Sequence, residues 1–378
     1  MIPLSVPNIS GNEWKYVKEC LDTGWVSTSG NFVQKFEKEF SNYIGSHNAV
    51  SFINGTSALH IALQTLGVKS NEFVIMPNIT FVATANAISY IGAEPLLIDV
   101  DEYTWQMDLE ILENFLSNDC KIDKNNNLIE IKSAKKISAI VIVHVQGNIC
   151  DFDKLKDIAK NFKLPIIEDA AEALGSCYNG IKAGTLGDIG CFSFNGNKIM
   201  TTGGGGMLVS KNKEYLNYAR HIASTAKTNP LRYEHDQVGY NYRLTNILSA
   251  IGLAQLENIE KFITRKREVA ETYRNELSGI GDIKFQKIIE KVKCNEWLFT
   301  ISTISMEKLL IYLHDNLVMS RPFWVPMNQL PMYKNCTYIS KHNRSSKIHK
   351  LLLSIPCSTN ISDKELSTVI NKIKSFYN

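Results

Sequence analysis

Lys198 is the residue whose setting most strongly suggests chemistry. It ends the segment Cys191–Lys198, which leaves an apolar run, and four successive glycines follow at 203–206. Desolvation at a buried strand end lowers the pKa of a lysine amine and makes the amine nucleophilic towards an aldehyde. A run of four glycines is costly to order unless the backbone must approach another group closely. Lys198 is therefore the candidate nucleophile, whereas most of the other lysines are interpreted as solvated surface charges.

Two adjacent carboxylates, Glu168 and Asp169, stand where the apolar run Pro165–Ile167 ends. A carboxylate at this position can hold a protonated ring nitrogen of a cofactor, because opposite charges favour the ionised form of both groups. The alternative for Asp169 is an ordinary helix N-cap, since two alanines follow it. Taken alone, the two interpretations of Asp169 are about equally good.

A third segment, Asn54-Gly55-Thr56-Ser57, opens a predicted helix after an apolar strand. Unpaired backbone N–H groups and hydroxyl donors at a helix N-terminus suit an anion such as phosphate. A plain helix cap is the alternative. A fourth segment, Gly239–Asn246, is polar and aromatic, and either a phosphate or sugar contact or a loop that packs on its own aromatic side chains accounts for it.

The elements that position these residues follow an alternating pattern. Short apolar runs and helical patterns alternate through the first two thirds of the chain, which is typical of strands crossed over by helices in a largely parallel sheet. Ligands of such sheets bind at the carboxyl ends of the strands, where the candidate residues lie. The predicted strands are 49–53, 73–76, 95–100, 137–145, 165–168, 189–194 and 207–209, and the predicted helices are 56–66, 80–91 and 152–162.

The pattern changes to long helical repeats after Asn246, and the segments beyond 297 suggest a smaller α+β layer. We therefore expect a large α/β domain over residues 1–248 and a small C-terminal domain over 249–378, with the N-terminal segment packed on the small domain. The Asn- and Lys-rich stretch Ser117–Lys136 is interpreted as a surface excursion of the large domain.

The composition excludes several classes of protein. At 44% hydrophobic and 21% charged residues, the chain is close to the average for soluble globular proteins, which excludes disordered, collagenous and coiled-coil chains. The formal charge of +3 demands no polyanionic partner, and the basic cluster Arg265–Arg267 lies among glutamates, so no nucleic acid partner is expected. The eight histidines show no metal-ligand spacing, so no metal site is expected, and only His144 stands at a predicted strand end.

The eight cysteines are scattered without a close pair, which favours a reducing compartment. The segment Met1–Pro7 lacks the basic and apolar regions of a signal peptide, and no window approaches the roughly 18 apolar residues of a membrane span. The chain is therefore predicted to be cytoplasmic, with no membrane partner.

A phosphate cradle, a carboxylate for a ring nitrogen and a lysine for an aldehyde together match the needs of pyridoxal 5′-phosphate. The sequence resembles the DegT/DnrJ/EryC1/StrS family, the nucleotide-sugar aminotransferases of fold type I, over nearly the whole chain. That resemblance implies a large domain with a mostly parallel sheet flanked by helices, and a smaller α+β domain. The segments that carry it include Ile2–Leu4, Gly24–Ser27, Asn54–Leu59, Glu168–Glu172, Gly187–Asp188, Phe192–Phe194, Lys198 with its glycine run, and Gly239–Arg243.

The resemblance implies a role in cofactor binding for several of these residues. Lys198 would bind the cofactor aldehyde covalently, and Asp169 would pair with the ring nitrogen. Phe81 would stack on the ring, and Glu172 corresponds to a polar position near the ring hydroxyl.

The same resemblance assigns the phosphate to Gly55, Thr56 and Ser193. Asn241 matches a family position that reaches the phosphate of the neighbouring subunit's cofactor, which implies a homodimer with shared active sites. Tyr240, Arg243 and Trp324 are the expected substrate contacts. One departure concerns the region after Arg321–Pro326, where relatives often carry a histidine and this chain has Met327 and Asn328.

The implied reaction is a ping-pong transamination from L-glutamate to the C4 ketone of a nucleotide-linked sugar. Segments Gly11–Val17, Asp188–Gly190 and Phe194–Lys198 are similar to the subgroup associated with legionaminic acid and bacillosamine-type sugars. Its substrates are 2-acetamido-2,6-dideoxy-hexos-4-uloses used for bacterial surface sugars, and a UDP-linked form is favoured over a GDP-linked form. A GDP-perosamine synthase-like aminotransferase is the alternative.

Two rivals belong to other classes. A related branch of sugar 3-dehydrases, which are lyases, typically has a histidine in place of the lysine, so Lys198 argues against that reaction. A non-catalytic regulator on the same fold would be expected to lack the lysine or to carry a DNA-binding domain. Neither feature is seen in this sequence.

Overall fold

The computed structural model describes residues 1–46, 48–229 and 231–378. Its helices are α1 Glu13–Thr23, α2 Asn31–Ile44, α3 Gly55–Thr65, α4 Ala83–Tyr90, α5 Leu109–Asn118, α6 Phe152–Phe162, α7 Lys213–Ala223, α8 Asn246–Leu256, α9 Ile259–Leu277, α10 Met306–Asp315, α11 Arg344–Ile348 and α12 Asp363–Tyr377. The strands in the first half of the chain are β1 Asn48–Phe52, β2 Phe73–Pro77, β3 Glu94–Ile98, β4 Cys120–Ile122, β5 Leu128–Glu130, β6 Ile137–Val143, β7 Ile166–Asp169, β8 Cys177–Tyr178 and β9 Ile181–Lys182. The later strands are β10 Ile189–Ser193, β11 Gly206–Ser210, β12 Lys284–Phe285, β13 Val292–Lys293, β14 Phe299–Ser302, β15 Arg321–Pro322, β16 Tyr338–Ile339 and β17 Leu352–Ile355.

The central sheet has eight strands in the order β1-β11-β10-β7-β6-β2-β3-β16. The strands from β10 to β16 pair in parallel, whereas β11 runs antiparallel to both β1 and β10. Helices on both faces bury the parallel strands, which explains why β2 and β6 are almost continuous apolar runs. The expected α/β architecture with a mostly parallel sheet is confirmed.

A second, four-stranded sheet, β12-β14-β17-β15, is antiparallel and is built from residues beyond 280. The N-terminal segment lies against this part of the chain, since the Ile2 N–H donates to Leu317 O at 2.8 Å and the Cys357 N–H donates to Leu4 O at 2.9 Å. Strand β16 returns to pair with β3 at the edge of the central sheet. The division between residues 248 and 249 stays a prediction.

The predicted central strands agree with the observed strands to within two residues at either end, and α6 has the expected bounds. The helix expected from residue 80 begins at Ala83, three residues later, so Thr80 and Phe81 lie in the segment before it. The excursion at 117–136 contains the small hairpin of β4 and β5. Among the described residues, no helix is both long and apolar enough to span a membrane.

Candidate active site

A cavity of about 330 Å³ lies where the carboxyl ends of the central strands meet residues of the C-terminal part. Strands β7 and β10 end beside it, and the segments after β2 and β6 also contribute to its wall. Parallel strands place their carboxyl ends along one edge of a sheet, so residues far apart in sequence converge there. The sequence-predicted site residues that line the cavity are Gly55, Thr56, Phe81, Asp169, Glu172, Ser193, Lys198 and Trp324.

Lys198 reaches the cavity from the turn that follows β10. Its Nζ atom lies 3.8 Å from the ring centroid of Trp297 and 4.0 Å from Glu172 Oε1. Burial lowers the pKa of the Lys198 amine, and the carboxylates of Glu172 and Asp169 oppose that shift. The indole N–H of Trp297 donates to Asn197 O at 2.7 Å, which fixes the turn that carries the lysine.

Asp169 ends β7 and is buried at the base of the cavity, with 5% of its surface exposed. The Thr84 hydroxyl donates to its Oδ2 atom at 2.7 Å, and the Ala171 N–H donates to Oδ1 at 3.2 Å. Burial raises the pKa of the Asp169 carboxyl, although these donors and Lys198 act against the shift. A cationic ring nitrogen beside Asp169 would stabilise the ionised form that burial disfavours.

Glu172 is also buried, and the Gln146 backbone N–H donates to its Oε2 atom at 2.8 Å. Burial raises the pKa of Glu172 to about 7, while the nearby Lys198 amine lowers it. The lysine and the glutamate therefore form a buried pair whose protonation states depend on each other.

The N-terminus of α3 supplies the cavity with a candidate anion cradle. The Asn54 side chain caps α3 by accepting from the Ser57 N–H at 2.8 Å, and Gly55 and Thr56 stand at the open end of that helix. Gly55 approaches strand β10 so closely that a Cβ atom there would lie 2.8 Å from Ser193 Cβ. Free N–H groups and hydroxyl donors at a helix N-terminus bind phosphate.

Three predicted residues lie outside this cavity in the single chain. The Tyr240 hydroxyl accepts from Gln64 Nε2 at 2.7 Å, and its ring stacks on Tyr242. Arg243 is ion-paired with Glu37 at 2.7 Å. Asn241 and Arg243 instead line a separate surface cleft with Arg220, so the roles expected for these three residues stay predictions.

Asn328, in the region where relatives often carry a histidine, pairs with Asn78. Its side-chain oxygen accepts from Asn78 Nδ2 at 3.0 Å, and its N–H donates back to Asn78 Oδ1 at 3.0 Å. The pair ties the segment after Trp324 to the end of β2, and Asn328 is not among the residues that line the cavity. Asn328 therefore positions the loop, while Trp324 lines the cavity itself.

The residues of the cavity that sequence reasoning did not single out as site residues include Thr84, Gln146, Trp297 and Arg321. Gln146 follows β6 within three residues, so the rule that ligands bind after strands could have found it. Arg321 and Trp297 belong to the second sheet or the segment before it, and no local pattern shows that they face the central strands. Thr84 lies inside α4, where a threonine carries no signal of a buried partner.

These donors fit pyridoxal 5′-phosphate, the cofactor expected from the sequence. The cavity combines an anion cradle at a helix N-terminus, a buried carboxylate that has no cationic hydrogen-bond partner among the described residues, and a buried amine. Those features correspond to the phosphate, the ring nitrogen and the aldehyde of the cofactor. Within the described part of the chain, no group of three metal-ligating side chains is found.

Comparisons with known proteins agree with this assignment. The model of the DegT/DnrJ/EryC1/StrS aminotransferase family matches residues 7–374. The chain is 38% identical over 379 residues to GDP-perosamine synthase of Escherichia coli O157:H7, covering 100% of this chain and 98% of that protein. It is 34% identical to the putative pyridoxal phosphate-dependent aminotransferase EpsN of Bacillus subtilis, covering 98% and 94% of the two chains. Among solved structures, the aminotransferase TlmJ of Streptoalloteichus hindustanus superposes with a TM-score of 0.89 at 26% identity, covering 99% of this chain and 98% of that one.

Proposed function

The chain belongs to the DegT/DnrJ/EryC1/StrS aminotransferase family, with pyridoxal 5′-phosphate as its cofactor, and we propose that it aminates the C4 ketone of a nucleotide-linked 4-keto-6-deoxyhexose. The amino donor in this proposal is L-glutamate. The observation that carries it is the convergence of Lys198, Asp169 and the cradle around Gly55 on one cavity. Each has an ordinary structural explanation alone, but a buried amine, a buried carboxylate and an anion cradle in one cavity are what this chemistry requires.

The bound cofactor supplies an electrophilic aldehyde and a ring that accepts electrons from the carbon being deprotonated. Asp169 would hold the positive charge of the ring nitrogen, and Thr84 orients the carboxylate by donating to Oδ2. Gly55, Thr56, Ser193 and Phe81 line the same cavity. The first three would bind the phosphate, and Phe81 would cover the ring.

Lys198 acts as the proton carrier. Its buried amine has a lowered pKa, so the neutral form is available to take a proton from the α-carbon of the amino donor. The resulting ammonium would deliver that proton to the C4′ carbon of the cofactor, and in the second half-reaction Nζ would carry a proton from C4′ to the sugar carbon that receives the amine. Glu172, at 4.0 Å from Nζ, would stabilise the ammonium form between uptake and delivery in each half-reaction.

A GDP-linked sugar is the first candidate substrate, because the relative at 38% identity over the whole chain is named GDP-perosamine synthase. Perosamine carries its amine at C4, which agrees with amination at that carbon. A UDP-linked 2-acetamido-2,6-dideoxy-hexos-4-ulose is the second candidate, supported by the segments that resemble the legionaminic acid and bacillosamine subgroup. Arg321, the cation besides Lys198 among the residues that line the cavity, is available for the nucleotide diphosphate or the donor carboxylate in either case.

The proposal includes a homodimer with shared active sites. Asn241 lies outside the cavity of its own chain, in a cleft that also contains Arg220 and Arg243. Both arginines pair with Glu37, so together the three side chains retain one positive charge. That charge and the Asn241 amide suit the phosphate of a cofactor held by a second subunit. Mixing an Asn241→Ala variant with a Lys198→Ala variant tests the arrangement. Mixed dimers regain one intact site only if each site takes Lys198 from one subunit and Asn241 from the other.

The function is tested by two linked experiments. Borohydride reduction of the purified protein, followed by peptide mass spectrometry, should place a pyridoxyl group on Lys198, and the Lys198→Ala variant is the control. Incubation with glutamate and a panel of UDP- and GDP-linked 4-keto sugars should then give a 4-amino sugar with one nucleotide. A label on another lysine would contradict the proposed nucleophile, and amination of none of the panel would contradict the proposed substrate class.

A further inference from the structure

Gln146 has a strained backbone beside the cavity. It has a φ of 61° and a ψ of 21° within the short turn Val145–Gly147 that follows β6. A non-glycine residue in this left-handed region costs about 1–3 kcal/mol and persists only where the surroundings impose it. The next residue is tightly enclosed as well, because a Cβ atom at Gly147 would lie 1.9 Å from Asn295 Oδ1.

The Gln146 side chain is buried yet incompletely paired. Only 3% of the residue is exposed, and it lines the cavity. Its Oε1 atom is fully buried and accepts no hydrogen bond from any described residue. A buried acceptor without a donor is costly, so an unpaired oxygen at a ligand cavity indicates a ligand that donates to it.

The position of Gln146 restricts what that ligand group is. Its backbone N–H bonds to Glu172 Oε2, and the other oxygen of Glu172 lies 4.0 Å from Lys198 Nζ. Gln146 is therefore at the reactive end of the cavity, near the atoms that Lys198 deprotonates and protonates. Groups at the nucleotide end of the substrate do not extend to this point.

The chemistry of the amide then selects one substrate group. The carboxylates of glutamate have no proton to donate to Oε1, and its α-amino group is the group that reacts at the cofactor aldehyde. In a 4-keto-6-deoxyhexose, the C5 neighbour of the ketone carries a methyl group and the ring oxygen, whereas the C3 neighbour carries a hydroxyl. A hydroxyl donates to Oε1 and can also accept from Nε2.

We infer that the Gln146 side-chain amide binds the C3 hydroxyl of the sugar and thereby aligns the C4 ketone with Lys198. The inference rests on the proposed function, but it holds for both candidate substrates, because each has a hydroxyl at C3. Gln146 is thus a substrate-positioning residue that acts in one half of the reaction only.

The test separates the two half-reactions by stopped-flow absorbance. In Gln146→Leu, kcat/KM for the keto-sugar half-reaction should fall about 10- to 100-fold, in the range of one lost hydrogen bond, while the glutamate half-reaction stays within about twofold. A 3-deoxy analogue of the sugar should react equally well with the wild-type protein and the variant. Calorimetric binding of the aminated nucleotide sugar should weaken by a similar factor, which gives a readout independent of turnover.

Other outcomes overturn the inference. Equal slowing of both half-reactions, with a shifted absorption spectrum of the bound cofactor, would assign the amide to the cofactor ring instead. If Gln146→Leu does not fold, the wild-type protein alone decides the question: undiminished reaction of the 3-deoxy analogue would exclude the contact. The proposed function and this contact both fail if the wild-type protein aminates no 4-keto sugar while its glutamate half-reaction is intact. If only the tests of the contact fail, the proposed function is unaffected.

Discussion

Lys198 Nζ lies 4.0 Å from Glu172 Oε1, and the side chains are 13% and 4% exposed. Burial acts on the two groups in opposite directions, lowering the pKa of the lysine and raising the pKa of the glutamate to about 7. Each charge favours the ionised form of the other. The carboxylate of Glu172 therefore raises the pH at which the nucleophilic amine is available, against the larger effect of burial.

Replacing Glu172 by Gln should move the pH profile of Lys198 towards acid. Loss of the carboxylate removes a contribution that raises the pKa of the lysine, so the neutral amine forms at lower pH. An opposite charge at this distance typically shifts a pKa by about 1–3 units. The rate at which the apo-protein reacts with pyridoxal phosphate, followed by absorbance across pH, should rise at correspondingly lower pH in Glu172→Gln.

The control for this variant is Glu113→Gln, which neutralises a half-exposed glutamate paired with Lys154 on the surface. Its profile should match that of the wild-type protein. An unshifted profile in Glu172→Gln, or a shift towards higher pH, would show that the carboxylate does not govern Lys198.

Asp169→Asn should make the apo-protein more stable at neutral pH and abolish most of its transamination. Burial raises the pKa of Asp169 in the folded state, so the folded protein retains a proton that the unfolded chain has already lost. The free energy of unfolding therefore falls as pH rises from the unfolded pKa to the folded pKa, by about 1.4 kcal/mol for each unit between them. The asparagine side chain does not ionise, so the free energy of unfolding of the variant does not fall in this way. Transamination is lost because the ring nitrogen of the cofactor would have no counterion.

Urea unfolding of the wild-type and Asp169→Asn apo-proteins between about pH 4 and pH 8 measures how the free energy of unfolding of each changes with pH. The advantage of Asp169→Asn should be smallest at acid pH and should grow as the pH rises. If the stability advantage of the variant shrinks as the pH rises, or if the variant is less stable at every pH, another group compensates the buried carboxylate.

Gly55→Ala should weaken cofactor binding through the phosphate cradle. The added Cβ atom would lie 2.8 Å from Ser193 Cβ and 3.2 Å from Phe192 O, so α3 must move away from β10. A displacement of two phosphate donors by a few tenths of an ångström should raise the Kd of pyridoxal phosphate about tenfold, which corresponds to about 1.4 kcal/mol.

Gly196→Ala is the matched control, since a Cβ atom there meets nothing within 4 Å and the residue lies in the turn before Lys198. Fluorescence titration of the apo-proteins with pyridoxal phosphate compares the two variants. Equal affinities would show that the cradle tolerates the shift, and inorganic phosphate as a competitor would locate any loss of affinity at the phosphate.

Much of this site could be predicted because local rules govern it. Asp169 and Ser193 end parallel strands, and Gly55 opens the helix after another, so the edge of the sheet brings them together. Lys198 was recognisable by its apolar run and its glycines. Each of these signals lies within about ten residues of the side chain that it identifies.

The remaining residues depend on tertiary contacts that leave no local pattern. Trp297 lies about a hundred residues from Lys198 in sequence, yet its ring contacts the amine and its N–H fixes the turn. The partnership of Asn78 with Asn328 spans 250 residues. Gln146 is set by a left-handed turn that its neighbours impose, which no propensity of glutamine would predict.

Glu168→Gln should destabilise the protein by about 1–3 kcal/mol for each buried donor that the new amide leaves unpaired. Glu168 lies directly before Asp169 on β7, and its carboxylate accepts four hydrogen bonds: from His144 Nε2 at 2.8 Å and from the N–H groups of Gly184, Leu186 and Gly187 at 2.6–2.7 Å. An amide at this position would turn one NH₂ group towards backbone donors that cannot rotate away.

Asp22→Asn is the control for Glu168→Gln, because Asp22 pairs with Lys18 at the exposed surface of α1, where such pairs contribute about 0–1 kcal/mol. Urea unfolding of the apo-proteins at neutral pH measures both changes. A loss near that of Asp22→Asn would show that the loop 184–187 rearranges to satisfy the amide. A large loss with unchanged affinity for pyridoxal phosphate would show that the Glu168 network supports β7 without controlling how Asp169 holds the ring.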